Sequence, residues 1–123
     1  MNKIEVSARM TIRPGQLDGF KRQALEIIRQ TREKDTKTLR YEWYLNSDST
    51  ACEVREAYDS SEGLFEHRMH VGDAINALFA KFADDHAVTI YGEPSPQLKA
   101  MVQAHKEVNS TWCSRLGGLE SSG

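Results

Sequence analysis

Three side chains in the stretch "CEVREAYDSSEGLFEHRMH" have types and spacing that could do chemistry. Glu56 shares a strand face with Cys52, Val54 and Tyr58, where apolar residues are expected to be buried. A carboxylate there must find a partner, or its pKa rises. His67 and His70 follow one helical turn apart. Three roles are open from the residues alone. Glu56 could orient His67 as a general base, the pair could tie a helix to a sheet, or the histidines could ligate a metal. Metal binding normally takes three or four converging ligands. Glu62 and Glu66 lie near His67 and His70, but no third ligand has a recognisable spacing, so no metal site is expected. Cys52 has no basic group on its own face to lower its pKa and reads as a small buried apolar residue.

The elements that must position these residues follow from hydrophobic periodicity. Residues 4–12, IEVSARMTI, alternate with period two and predict a strand, which "RPG" ends. Residues 16–35 place Leu17, Phe20, Ala24, Ile27, Ile28 and Thr31 at helical spacing, a long amphipathic helix. Residues 39–46 alternate again, with Leu39, Tyr41, Trp43 and Leu45 on one face. The turn residues "NSDST" then lead into a strand at 51–58, which predicts a hairpin. Asp59 or Ser60 can cap the next helix, predicted to run to about residue 70. "VGD" at 71–73 predicts a break before a second short helix at 74–83. Residues 86–92 read as the last core strand.

The order β-α-β-β-α-(α)-β predicts an α+β fold, a ferredoxin-like split βαβ sheet with helices on one face. The other face carries Ser7, Arg9, Arg40, Glu42, Tyr44, Glu53, Arg55, Thr89 and Tyr91. Two copies packed face to face would pair its charges, Arg9, Arg40 and Arg55 against Glu42 and Glu53. A chain of this size buries only about two-thirds of its unfolded surface. A homodimer closing two sheets into an α+β barrel is therefore expected. The domain spans 1–93. Residues 94–123 read as an extension with a helix at about 97–107 and a mobile Ser/Gly-rich tail in which Trp112, Leu116 and Leu119 hint at docking.

The totals narrow the class. The chain has 123 residues, 39% apolar and 28% charged, with a formal net charge of -2. Nucleic acid and anionic membrane need a basic face, so neither is expected as a partner. No stretch approaches the roughly 18 apolar residues of a membrane span. The N-terminus lacks the apolar core of a secretory signal, and two widely separated cysteines fit a reduced, cytoplasmic setting.

The segments "RPGQLDGFKRQALEII", "TLRYEWYLN" and "CEVREAYDSSEGLFEHRMH" together resemble the antibiotic biosynthesis monooxygenase family of dimeric α+β barrels, quinol monooxygenase-like members among them. The resemblance covers roughly residues 4–93. Its most specific part is the strand Glu56, the aromatic Tyr58 two residues on, an acidic-serine turn and the helical His67. It departs from the haem-degrading relatives, which combine Asn, Trp and His.

The resemblance implies a cofactor-independent monooxygenase of a small aromatic or quinol-like substrate. His67, with Glu56 and His70 as the other catalytic candidates, would deprotonate the substrate hydroxyl. The resulting anion would react with oxygen directly. Tyr41, Trp43, Tyr58, Phe65 and Phe79 would line the pocket, although aromatics at these periods also read as plain core. The alternative is a non-catalytic ligand-binding or stress-related dimer of the same fold. The enzyme reading calls for a cavity of about 300 Å3 or more beside His67 or His70.

Overall fold

The computed structural model describes residues 3–119. Its five-stranded sheet has the order β2-β3-β1-β4-β5, formed by β1 (Ile4–Ile12), β2 (Thr38–Leu45), β3 (Ala51–Tyr58), β4 (Ala83–Tyr91) and β5 (Asn109–Cys113). The helices are α1 (Leu17–Lys34), α2 (Ser61–Lys81) and α3 (Pro96–Ala104). β1 lies between β3 and β4 and is antiparallel to both, as the α+β split-βαβ reading requires. The alternation in β1 buries Ile4, Val6, Ala8, Met10 and Ile12 under the helices. From α1, Phe20, Ala24, Ile27 and Thr31 are buried.

Three sequence expectations change. The break at 71–73 does not occur, because α2 is one helix of 21 residues. Gly72 faces open space, while Val71 and Leu78 on either side of it are fully buried. An interior glycine costs about 1 kcal/mol, and burying two aliphatic side chains contributes more than that. The predicted helix at 97–107 ends earlier, at Ala104. Part of the tail expected to be mobile is ordered, since Asn109–Cys113 pair in parallel with β4 as β5. Trp112 packs on the cluster of Ile4, Val6, Tyr58, Leu64, Ile90 and Leu98. Leu116 and Leu119, whose docking the sequence suggested, are instead fully exposed, and residues 120–123 of the tail lie outside the described residues.

The β1–β4 ladder carries a bulge. Arg9 pairs with Ala87 but Thr11 pairs with Asp84, so Asp85 and His86 together oppose Met10. Asp85 takes the left-handed conformation (φ 58°), and Thr11 Oγ1 donates to its carboxylate at 2.7 Å. A bulge of this kind re-aims the side chain that follows it, here His86.

Candidate active site

The apolar core divides into two clusters. One is centred on Met10, Phe20, Ile27, Val54 and Leu78, the other on Ile4, Tyr58, Leu64 and Leu98. A cavity of about 90 Å3 lies where they meet. Val6, Ala8 and Val54 form its sheet side, with Leu64, Ile75 and Leu78 on the α2 side. Met101, Val102, His105 and Val108 of the C-terminal segment also line it. The cavity is smaller than the expected 300 Å3. It adjoins an outer pocket of about 390 Å3, and the two share Arg68, Ile75, Phe79, His86 and Val108 as a throat.

His67 is buried and lines the inner cavity. Its hydrogen-bond partner is Asp35, not Glu56. His67 Nδ1–H donates to Asp35 Oδ2 at 2.8 Å, His70 Nδ1–H donates to Asp35 Oδ1 at 2.7 Å, and Thr38 Oγ1 donates to Oδ2 at 2.6 Å. Asp35 caps the C-terminus of α1, its backbone N–H bonded to Thr31 O. The loop after it is pinned to α2, with Thr36 N–H and Oγ1 donating to Glu66 at 2.8 and 2.7 Å. Gly63 permits the close approach. A Cβ there would lie 3.1 Å from both Lys37 O and Tyr58 Cβ, so the first turn of α2 packs directly on the α1–β2 loop. Ser60, one of the two predicted caps, accepts from Gly63 N–H.

Burial disfavours ionisation of Asp35, but the hydrogen bonds from His67, His70 and Thr38 outweigh it and bring the carboxyl down to about 2. An ionised carboxylate only accepts, so Nδ1 of each histidine carries its proton. In neutral His67 the lone pair is then on Nε2, the arrangement that a carboxylate gives a general-base imidazole.

Glu56 also lines the cavity and is buried. Tyr58 O–H donates to its Oε1. Burial raises the Glu56 pKa, opposed by the charge of His67 and the Tyr58 hydrogen bond. Glu56 thus interacts with His67 through space while its own hydrogen bond is to Tyr58. The Tyr41 ring meets the His67 ring edge-on with centroids 4.6 Å apart, and burial pushes the Tyr41 hydroxyl well above its ordinary value. Trp43 lines the cavity. Its indole N–H acts on the neighbouring Tyr41 hydroxyl but makes no hydrogen bond of full geometry, which leaves Nε1 a buried, unsatisfied donor.

Of the predicted pocket residues, Tyr41, Trp43 and Phe79 line the cavity. Tyr58 lies outside its lining, holding Glu56, and Phe65 packs against the second cluster. His70 is outside the lining as well, bound to Asp35 with its side chain 27% exposed. Sequence reasoning missed Asp35, Arg68, His86 and His105. Only Asp35 had a local signal, an acid at a helix C-terminus three residues before Thr38. His86 stacks on Phe79 with centroids 4.1 Å apart. Burial and the nearby Arg68 charge lower its pKa to about 4, so it is neutral at physiological pH. Cys52 is buried, as expected, and burial raises its thiol to about 11.

On the opposite sheet face, Arg40 pairs with Glu42 of its own strand at 3.2 Å. Glu53 accepts from Ser7 Oγ at 2.5 Å, and Arg9 donates to Ser7 and Thr89 at 3.1 and 3.3 Å. Among the described residues, no group of His, Cys, Asp or Glu could hold a metal ion, and no helix is long and apolar enough to cross a membrane.

No family model matches the sequence, and no curated protein sequence matches it. Solved structures do. The chain is similar to MupZ from Pseudomonas fluorescens at 18% identity and a TM-score of 0.79, covering 98% of this chain and 96% of that one. It is similar to Rv0793 from Mycobacterium tuberculosis at 24% identity and a TM-score of 0.66, covering 76% and 97%. It is also similar to a protein named antibiotic biosynthesis monooxygenase, at 19% identity and a TM-score of 0.65, covering 76% and 99%. The first likeness takes in α3 and β5, whereas the other two leave about a quarter of this chain unmatched. The core of this chain therefore has the fold of the antibiotic biosynthesis monooxygenases.

Proposed function

We propose that the chain is a cofactor-independent monooxygenase of a small aromatic or quinol-like substrate. The observation that carries this reading is His67 in the wall of an apolar cavity, hydrogen-bonded from behind to Asp35, which lies outside the lining. Asp35 fixes the tautomer, and Nε2 of His67 takes the substrate's hydroxyl proton. The electron-rich anion then reacts with oxygen. For a quinol the balance is quinol plus O2 giving a hydroxylated quinone plus water. One oxygen atom enters the ring, the other leaves as water, and the substrate supplies all the electrons. The Trp43 N–H, which makes no hydrogen bond of full geometry, would donate to an oxygen of the bound molecule and so favour its anion.

The test is oxygen uptake with a panel of quinols and anthrones, comparing the parent chain with His67→Ala. Loss of at least about 100-fold in the variant is expected for a removed general base, and equal rates would remove His67 from the mechanism. The inner volume of about 90 Å3 favours a second reading, a ligand-binding protein of the same fold without turnover. Ligand binding with no oxygen uptake by the parent chain would select it.

The protein acts as a homodimer joined through the open sheet face, where Tyr44 and Tyr91 are exposed. Light scattering at micromolar concentration should give twice the 13.9 kDa of one chain. A single-chain mass would overturn the dimer.

A further inference from the structure

Arg68 follows His67 on α2 and lines both the inner cavity and the outer pocket. It is half-buried, and among the described residues it makes no hydrogen bond and no ion pair. Its donors are therefore available to an acceptor that a bound molecule supplies. The carboxylates around it are each engaged elsewhere. Asp84 pairs with Arg13 at 3.1 Å, Asp85 accepts from Thr11 at 2.7 Å, Glu107 pairs with His105 at 3.3 Å and Glu56 accepts from Tyr58. The charge of Arg68 acts through space on Tyr41, Glu56 and His86 in the cavity wall and on Glu107 at the outer pocket, without a hydrogen bond to any of them. Ile75, Phe79 and Val108 make the rest of the throat apolar.

We propose that Arg68 anchors the carboxylate of a small aromatic acid whose ring occupies the inner cavity. The inner volume holds little more than one ring, so a substituent on that ring reaches the throat, where the guanidinium presents its donors. A planar fork suits a carboxylate. Asp84, Asp85 and Glu107 on the outer pocket disfavour a dianion such as a phosphate ester, which leaves a monoanion as the complementary group. The inference rests on reading the inner cavity as the substrate site and narrows that substrate to quinol-like molecules bearing an acid.

The experiment is calorimetric binding without oxygen, so that it is independent of turnover. The full-length protein, Arg68→Met and Arg68→Lys are titrated with gentisate, a quinol carboxylate, and with its methyl ester. Circular dichroism checks the fold of each variant. The parent chain is expected to bind the acid about tenfold more tightly than the ester. Arg68→Met removes that preference, and Arg68→Lys, which keeps the charge but not the fork, retains a smaller one. Equal binding of acid and ester to the parent, no binding of either, or an undiminished preference in either folded variant overturns the proposal. A preference that Arg68→Met abolishes, in a protein showing no oxygen uptake, would leave the carboxylate site standing and remove the monooxygenase reading.

Discussion

His67 Nδ1 and Asp35 Oδ2 lie 2.8 Å apart although 32 residues separate them in the chain, and each side chain is only 2% exposed. Asp35 sits at the end of α1 and His67 in the second turn of α2. The contact therefore exists only because the two helices pack side by side on the sheet. It fixes the ring's tautomer and orientation, and it brings one wall of the cavity under the control of a residue outside it.

Asp35→Asn tests that control. The amide keeps the size and one acceptor but can present N–H groups to the histidines, which destabilises the Nδ1–H tautomer. Oxygen uptake should fall by about 10- to 100-fold, the range for removing a partner that orients a functional histidine. Circular dichroism should remain that of the parent. An unchanged rate would mean that His67 does not depend on Asp35.

Asp35 also makes stability depend on acid. Its folded pKa of about 2 lies below the ordinary 3.8, so its contribution is complete above pH 4 and is lost as pH falls towards 2. The parent should lose about 1–2 kcal/mol from this group over that window. Asp35→Asn should be less stable than the parent at pH 6, with the gap narrowing at pH 3. Urea unfolding at the two values measures both.

Glu56 has the opposite sign. Burial raises its folded pKa, so the folded state holds the proton more tightly than the unfolded state. Its contribution therefore declines as pH rises from about 4.5 through the folded value. Glu56→Gln keeps an acceptor for the Tyr58 hydroxyl and removes the buried charge. The variant should match or exceed the parent's stability at pH 8 and gain less at pH 4. A large loss at pH 8 would show that the fold requires the ionised carboxylate beside His67.

Leu98 tests the C-terminal segment. It is fully buried among Ile4, Val6, Tyr58, Leu64 and Ile90. Leu98→Ala should cost about 2–5 kcal/mol, read as a lower urea midpoint. Because Met101 and Val102 of the same helix line the cavity, ligand affinity should fall with it. A variant as stable as the parent would show that α3 docks only loosely.

The elements and their order were legible in the sequence because each buries one face against the other layer, and burial writes its period into the chain. Period two in β1 and period 3.6 in α1 needed no tertiary information. The same periodicity placed Tyr41, Trp43 and Phe79 on apolar faces, and only the structure set them beside the cavity. Local signals failed where packing outweighed them. Gly72 reads as a break, yet α2 runs through it because Val71 and Leu78 bury against the core. Residues 109–113 read as tail, yet β4 offered an unpaired edge whose N–H and C=O groups they satisfy as β5.

The sequence by itself determined the sheet, the amphipathic helices and the presence of an acid–base pair of types around Glu56 and His67. Only the tertiary structure decided which carboxylate holds which histidine. Glu56 is nearer in sequence, but its strand face directs it to the Tyr58 hydroxyl, while the α1–α2 packing delivers Asp35. The structure likewise decided that a bulge brings His86 to the throat and that Arg68 lies there with no hydrogen-bonded acceptor among the described residues. Those relationships depend on residues far apart in the chain, and no local period records them.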